Sequence, residues 1–170
     1  TLFLALVASV GIIYASDTKV DGIWYDFDNT NNTATVTYRG SWYDSYIDEY
    51  SGSVIIPSSV TYNDTTYSVT SIGDDAFYEC YSLTSITIPS TVQTIESSAF
   101  DSTNLSEVVI KDGVKTIGNS AFASCKMLTS IEIPDSVTTL GTDVFYNCSN
   151  LLSVRLPNIA TALNSRILYG

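Results

Sequence analysis

Histidine is absent from the sequence, and basic residues are few. The 170 residues include 7 Lys and Arg against 18 Asp and Glu, which gives a formal net charge of −11 at pH 7. Phosphate backbones and anionic membrane surfaces repel such a chain, so we expect no nucleic acid among its partners. Without histidine the chain lacks the most usual general base and a frequent zinc ligand. Any chemistry would therefore depend on carboxylates and three cysteines.

One uncharged apolar stretch, TLFLALVASVGIIYAS, opens the chain at residues 1–16. Small residues, Ala15 and Ser16, stand where a signal peptidase would cut, so we interpret the stretch as a secretory signal whose basic part is missing. A membrane anchor is the alternative, but the stretch is shorter than the roughly 18 residues of a spanning helix. We expect a fragment of a secreted or cell-surface protein, with no membrane insertion after signal cleavage.

An internal repeat dominates the rest of the sequence. The dipeptide Ala-Phe, once Val-Phe, recurs with its phenylalanines 23, 22 and 23 residues apart. Other apolar positions return in the same phase: Leu83, Leu105, Leu128 and Leu151; Ile86, Val108, Ile131 and Val154; Ile88, Ile110, Ile133 and Leu156. A unit of this length cannot bury so many apolar side chains alone, whereas stacked copies bury them against each other. The pattern predicts a solenoid.

Each repeat predicts a short strand followed by a turn. The segment LTSITIP alternates apolar and polar residues and is rich in β-branched types, and the proline that follows ends the strand. The Ala-Phe segment is predicted to be a short turn or a helical rung. We assign these repeats to residues 53–170 and expect the last one to be degenerate and truncated.

Residues 17–52 do not repeat. The segments DGIWYDF and TATVTYR alternate like strands and are joined by the turn-rich DNTNN, which predicts a β-hairpin cap on the first face of the solenoid. A second hairpin is predicted to turn at Asn63-Asp64.

The repeats AFYECYSLTSITIPSTVQTIESSA and AFASCKMLTSIEIPDSVTTLGTDV resemble the BspA-type leucine-rich repeat of bacterial surface proteins. The segment beginning VDGIWYDF is similar to the start of secreted members from Bacteroidetes. The resemblance implies a right-handed α/β-type horseshoe arc that binds host-cell or extracellular-matrix proteins in adhesion. It implies no enzyme, no catalytic residues and no cofactor. The chain departs from the family at Thr103, where cysteine is usual, and at Lys111, where proline is usual.

Three cysteines occupy one position of the repeat frame, the third after the phenylalanine. They are Cys80, Cys125 and Cys148, and Thr103 fills the same place in the remaining repeat. A position that accepts Cys or Thr favours a buried free thiol. A disulfide between Cys125 and Cys148, or a metal or catalytic role, is the alternative.

Two groups of acidic residues are candidates for a catalytic or metal-binding site. Asp74 and Asp75 correspond to Ser, Asn and Thr in other repeats, which favours a solvated bend over an acid pair. Asp26, Asp28 and Thr30 match the first spacings of a calcium loop, but its glycine and its final glutamate are missing, so a hairpin turn is favoured. We predict no metal site.

The outward side of the strands is the first candidate for binding. Side chains that alternate with core positions form two columns on one face. They are Ser53, Ser85, Glu107, Ser130 and Ser153 in the first, and Ile55, Thr87, Val109, Glu132 and Arg155 in the second. We predict that this face binds a protein, while a solvated sheet without a ligand is the alternative.

Aromatic residues crowd the predicted cap and form a second candidate. They are Trp24, Tyr25, Trp42, Tyr43, Tyr46 and Tyr50. Exposed aromatics stack on sugar rings, so the alternative function is a carbohydrate-binding module that uses Trp24, Trp42, Tyr43 and Tyr46. Core packing explains the same residues equally well.

Overall fold

The computed structural model describes residues 18–39 and 48–157. Within these ranges the chain forms thirteen strands and no helix, and accordingly no helix that could span a membrane. The strands are β1 (Lys19–Val20), β2 (Ile23–Asp28), β3 (Thr33–Thr37), β4 (Gly52–Ile55), β5 (Ser59–Tyr62), β6 (Thr65–Ile72), β7 (Leu83–Ile88), β8 (Thr94–Ile95), β9 (Glu107–Ile110), β10 (Thr116–Ile117), β11 (Ser130–Glu132), β12 (Thr139–Leu140) and β13 (Ser153–Arg155). The predicted signal peptide and residues 158–170 of the last repeat lie outside the described residues.

One side of the repeats is a continuous sheet, which we call the back sheet. Its strand order is β1-β2-β3-β6-β8-β10-β12, and β5 pairs with β6 as a branch. From β6 to β12 the strands are parallel, and one apolar residue per repeat lies in register: Ile72, Ile95, Ile117 and Leu140. All four are buried. The second extended piece predicted for each repeat is therefore present. It is the end of β6 in the first case and a two-residue strand, β8, β10 or β12, in the following repeats.

The opposite side carries the longer predicted strands and is called the strand face. β4, β7 and β9 form one parallel sheet, and β11 and β13 form another. β11 lies beside β9, yet no ladder joins these two strands. The strand face is thus interrupted once, between the third and fourth of its five strands.

Both predicted hairpins are present. β2 and β3 pair antiparallel over the segments predicted from the sequence, and β3 runs parallel to β6, at the start of the repeats. β5 and β6 form the second hairpin. Its turn residues Asn63 and Asp64 both have positive φ, 48° and 60°, as a two-residue turn between right-twisted strands requires.

A stack of aromatic rings forms the centre of the solenoid. Phe77, Phe100, Phe122 and Phe145 lie 4.9, 5.0 and 5.9 Å apart between ring centroids, with interplanar angles of 11°, 7° and 18°. Tyr50 packs against Phe77 at 4.5 Å. The equal spacing of phenylalanine along the sequence therefore becomes an almost parallel stack in space.

The Ala-Phe segments are turns, so the helical alternative was wrong for the described repeats. The N–H of Phe77 bonds to the carbonyl of Ala99 at 2.8 Å, and Phe100 bonds to Ala121 in the same way. In an α-helix these N–H groups would instead bond to carbonyls four residues earlier in the same segment. Each segment also contains two residues of positive φ, such as Asp75 at 55°, which a right-handed helix does not admit. The horseshoe arc stays a prediction.

Candidate binding surface of the strand face

Strand pairing places the two predicted columns in register. Ser53, Ser85 and Glu107 are direct partners across β4, β7 and β9, as are Ile55, Thr87 and Val109. Beyond the interruption, Ser130 is the partner of Ser153, and Glu132 of Arg155. The residues between the columns face the other way, since Ile86 and Ile131 are buried in the core. The alternation read from the sequence therefore sorts the side chains correctly between surface and core.

Exposure varies along the columns. Ser53, Glu107, Ser130 and Ser153 are exposed, while Ser85 is half-buried and its hydroxyl donates to that of Ser53 at 2.6 Å. In the second column Ile55, Glu132 and Arg155 are exposed, and Thr87 and Val109 are half-buried. Ile55 exposes 70% of its surface, unusually much for a large apolar residue. The columns thus offer hydroxyls, carboxylates and apolar groups without an orderly catalytic arrangement.

Arg155 organises the charges at the end of the face. Its Nη1 lies 3.2 Å from Glu132 Oε1 and its Nη2 lies 3.0 Å from Asp135 Oδ2. Nη1 also donates to the carbonyl of Ile133 at 3.3 Å. The side chains of Arg155 and Glu132 are 49% and 72% exposed, so solvent screens the pair and it adds little stability. This cluster therefore contributes little to holding the fold together.

A groove follows the interruption between β9 and β11. It begins as an open depression of about 370 Å³ against Glu107, Ser130 and Ser153, and continues as one of about 480 Å³ against Lys111, Asp112 and Asp135. Val109, Glu132 and Arg155 line both parts. The groove therefore contains six of the eight residues predicted to bind on the repeats: Glu107, Val109, Ser130, Glu132, Ser153 and Arg155. The sequence contained one signal for it, the Lys111 that stands in place of proline.

The aromatic candidates in the first region are divided. Tyr25 and Tyr50 are 1% and 3% exposed, and burial raises the pKa of Tyr25 to about 12. The Tyr50 hydroxyl donates to the carbonyl of Thr37 at 2.7 Å and accepts from the N–H of Trp24 at 3.1 Å. These two tyrosines belong to the core. Sequence reasoning missed the role of Tyr50 as the first ring of the stack, since it lies outside the repeat frame.

Trp24 is half-buried, and two cations approach its ring. Lys19 Nζ lies 5.4 Å and the Arg39 guanidinium carbon 5.9 Å from the ring centroid, within reach of a cation–π contact. Its indole Nε1 is buried and has no hydrogen-bond partner in the described part of the chain. Trp42, Tyr43 and Tyr46 lie outside the described residues. An aromatic sugar-binding patch stays a prediction for those three.

The shared cysteine position is a column of small side chains beside the phenylalanine stack. Cys80 and Cys125 are buried and Cys148 is half-buried, and all three are free thiols. Cys125 Sγ donates to the carbonyl of Phe100 at 3.3 Å, to which Thr103 Oγ1 also donates, at 2.9 Å. Burial raises the pKa of Cys80 to about 11, and contact with Cys148 together with burial raises that of Cys125. Such thiols are poor nucleophiles, and the buried interpretation is confirmed for Cys80 and Cys125.

Asp74 and Asp75 lie in the turn before Phe77, and the carboxylate of Asp74 bonds to the backbone. Asp74 Oδ1 accepts from the N–H of Ser97 in the next repeat at 2.9 Å. Asp75 is half-buried, and burial, with Asp74 and Asp101 nearby, raises its pKa to about 6. Its positive φ places it in the turn, as the bend interpretation requires.

The hairpin interpretation of the calcium-like segment is confirmed. Asp28 Oδ1 accepts from the N–H groups of Thr30 and Asn31 at 2.8 and 3.2 Å, and Asp28 Oδ2 accepts from Asn31 Nδ2 at 2.7 Å. The bond from the Asn31 side chain, followed by those from the backbone, lowers the pKa of Asp28. Across residues 18–39 and 48–157 no three His, Cys, Asp or Glu side chains are grouped as metal ligands.

Comparison with known proteins identifies the repeats. The BspA type leucine rich repeat region matches residues 52–170 in six copies. A leucine-rich repeat protein from Bacteroides capillosus is 30% identical with a TM-score of 0.66, covering 81% of this chain and 96% of its own. A leucine-rich repeat protein from Bacteroides ovatus is 33% identical with a TM-score of 0.59, covering 83% and 41%. No curated protein matches the sequence.

A leucine rich cell surface protein from Faecalibacterium prausnitzii is 30% identical with a TM-score of 0.61, covering 85% of this chain and 43% of its own. The chain thus spans nearly the whole of the Bacteroides capillosus protein but less than half of the other two. The family match covers more than half of the chain, and it confirms the resemblance inferred from the Ala-Phe repeats. This chain belongs to the family of proteins with BspA-type leucine-rich repeats.

Proposed function

We propose that the protein is a non-catalytic, secreted or cell-surface module that binds a host or surface protein, including extracellular-matrix proteins, through its strand face. The observation that carries the proposal is the pair of in-register columns on that face. No described element covers them, and the side chains between them build the core. A surface of this kind accepts changes in its outward residues without loss of the fold, which suits recognition.

The surface location is supported by the related cell-surface protein from Faecalibacterium prausnitzii. Adhesion is the role that this location and an exposed binding face fit best. No enzymatic activity is proposed, because the buried thiols and backbone-bonded carboxylates described above are not arranged around a substrate-sized site.

The first hairpin is proposed to cap the solenoid. β3 is hydrogen-bonded along β6, and Tyr50 covers the first phenylalanine of the stack. Both contacts remove apolar or unpaired surface that the first repeat would otherwise expose. A gentle arc with the strand face on its inner side is the shape proposed for the array.

The carbohydrate alternative depends on Trp42, Tyr43 and Tyr46, because Trp24 already contacts Lys19 and Arg39. A glycan array separates the two functions. We expect no glycan signal, and a signal lost in Trp42→Ala would favour the alternative.

The test of the strand face uses paired surface variants. Ser130→Arg with Ser153→Arg places bulk on the strand face, and Gln93→Arg with Thr139→Arg adds the same charge at exposed positions of the back side. Binding to purified matrix proteins and to intact host cells is measured after circular dichroism confirms the fold. We expect the first pair to abolish binding and the second to preserve it. Failure of the folded parent to bind, or equal loss in both pairs, would overturn the proposal.

A further inference from the structure

The groove lies where the strand face lacks its ladder, between β9 and β11, and residues of β9, β11 and β13 line it. The parallel ladder is continuous from β4 to β9 and from β11 to β13, and it is absent only at this junction. The two depressions along the junction have volumes of about 370 and 480 Å³ and share Val109, Glu132 and Arg155. A segment that lies along the strands therefore finds a continuous trough here.

The charges of the groove are mostly negative. Four carboxylates line it, from Glu107, Asp112, Glu132 and Asp135, against two cations, Lys111 and Arg155. Among the described residues, Glu107 and Asp112 form no salt bridge. Since the whole chain carries −11, the local field and the long-range field attract the same kind of ligand.

Arg155 shows how a cation sits in this groove. Its guanidinium bridges Glu132 and Asp135 at 3.2 and 3.0 Å while half of the side chain stays exposed. On the β9 side Glu107 and Asp112 form no such ion pair, so each carboxylate is available to a separate guanidinium or ammonium group from outside. Arg155 thus neutralises the carboxylates of Glu132 and Asp135, while those of Glu107 and Asp112 are left for a ligand.

The dimensions favour an extended ligand. Five residue steps separate Glu107 from Asp112, and at about 3.3 Å per step of extended chain the two carboxylates lie up to roughly 16 Å apart. Val109 stands between them, half-buried, as an apolar contact on the floor. A compact cation would reach only one carboxylate, whereas an extended peptide reaches both.

We propose that the groove between β9 and β11 binds an extended protein segment rich in lysine or arginine. The inference rests on the proposed function, since it names the chemistry of the partner at the same face. The partner's cations pair with Glu107 and Asp112, and its remaining side chains lie against Val109 and the hydroxyls of Ser130 and Ser153. Binding weakens with salt, because these carboxylates are exposed.

The test measures fluorescence polarisation of labelled ten-residue peptides in which serine alternates with lysine or with glutamate. We expect the lysine peptide to bind the full chain, to lose at least fivefold in affinity between 50 and 300 mM NaCl, and to be far tighter than the glutamate peptide. The double variant Glu107→Gln with Asp112→Asn should weaken binding roughly tenfold, at about threefold per exposed charge pair.

Two controls separate the groove from general charge and from misfolding. Asp21→Asn with Asp64→Asn removes the same charge at exposed turn positions outside the groove and should change affinity less than twofold. Lys111→Gln removes a repelling cation from the groove and should strengthen binding about threefold, a gain that unfolding cannot produce. Equal loss in both double variants, binding of the glutamate peptide, or no binding of the lysine peptide would overturn the inference. If matrix proteins still bind in a manner sensitive to Ser130→Arg with Ser153→Arg, the proposed function survives that result.

Discussion

The back sheet and the strand face are built from the same repeats, yet only the back sheet is continuous. Thr116 and Ile117 pair with Thr94 and Ile95 on one side and with the next repeat on the other, and the ladder runs without a break from β6 to β12. The strand face, with longer strands, is interrupted between β9 and β11. Packing in the core and continuous pairing in the back sheet therefore hold the repeats together. The outward residues of the strand face are free to differ from repeat to repeat.

The largest expected effect comes from the aromatic stack. Phe100 is fully buried between Phe77 and Phe122, so Phe100→Ala should lower the free energy of unfolding by about 3–5 kcal/mol through lost transfer energy and a cavity. Urea denaturation followed by circular dichroism measures it. Leu152→Ala, at a position 89% exposed, should change stability by less than about 0.5 kcal/mol. A small effect of Phe100→Ala would mean that the stack does not hold the repeats together.

The second-largest loss of stability is expected where a side chain is added between closely packed repeats on the back side. A Cβ on Gly118 would lie 2.6 Å from both the Glu96 carbonyl carbon and the Ser97 nitrogen, so we expect Gly118→Ala to cost about 2 kcal/mol. Gly73→Ala is the matched control at the same repeat position, where the nearest atoms belong to Thr35 and Val36 at 3.3 Å. The control should cost less than half as much in the same urea titration. Equal costs would contradict tighter packing between repeats than against the first hairpin.

A hydrogen bond in the cysteine column should have an intermediate effect. Thr103 is buried and its hydroxyl donates to the carbonyl of Phe100, so Thr103→Val should cost about 1–2 kcal/mol. Thr103→Cys, the residue found at this place in the other repeats, keeps a donor and should cost less than the valine variant. Thermal and urea unfolding of both variants compares them, and a valine variant as stable as the parent would contradict the role of this bond.

Asp75 should make stability depend on pH. Burial raises its pKa to about 6, above the unfolded value of 3.8, so the stability that its protonated form contributes is full below about pH 4 and is lost as pH rises through 6. Asp75→Asn, which tolerates the positive φ, should remove part of this loss in urea midpoints measured from pH 4 to 7.5. Asp64→Asn, exposed and also of positive φ, should leave the profile unchanged. An unchanged profile in Asp75→Asn would contradict the assignment.

The smallest effect on stability is expected at the strand face. Glu132→Gln removes a screened, exposed ion pair with Arg155 and should change the free energy of unfolding by less than about 0.5 kcal/mol. Differential scanning calorimetry at low and high salt measures the change. A cost above 1 kcal/mol would show that this charge cluster holds the fold and that the two regions are less different than we infer.

Several features of the fold could be predicted because the same residue types recur at the same positions of each repeat. Periodic Phe, Leu and Ile positions predicted the buried stack and strands, and alternation placed Ser85 and Thr87 outward. The Asn63-Asp64 turn followed from local backbone preference. Tyr50 could not be found this way, because it lies 27 residues before Phe77, outside the period. It packs on Phe77, and hydrogen bonds with Trp24 and Thr37 hold its hydroxyl.

The helical alternative shows the limit of local sequence. Nothing in AFYEC or AFASC excludes a helical turn, and the choice is made by hydrogen bonds to the next repeat, such as Phe77 to Ala99. The groove is a similar case. Its strand residues are ordinary in sequence, and only the strand pairing of the structure shows that the ladder is missing between β9 and β11.

The sequence by itself determined the repeat period, the family, the sorting of side chains between core and surface, and the sign of the charge, because these depend on composition and spacing within each unit. The tertiary structure decided that the Ala-Phe segments are turns, that Tyr50 is the first ring of the stack, and that the ladder of the strand face is interrupted between β9 and β11. These depend on contacts between residues far apart in the sequence, whose geometry is set only when the segments pack together.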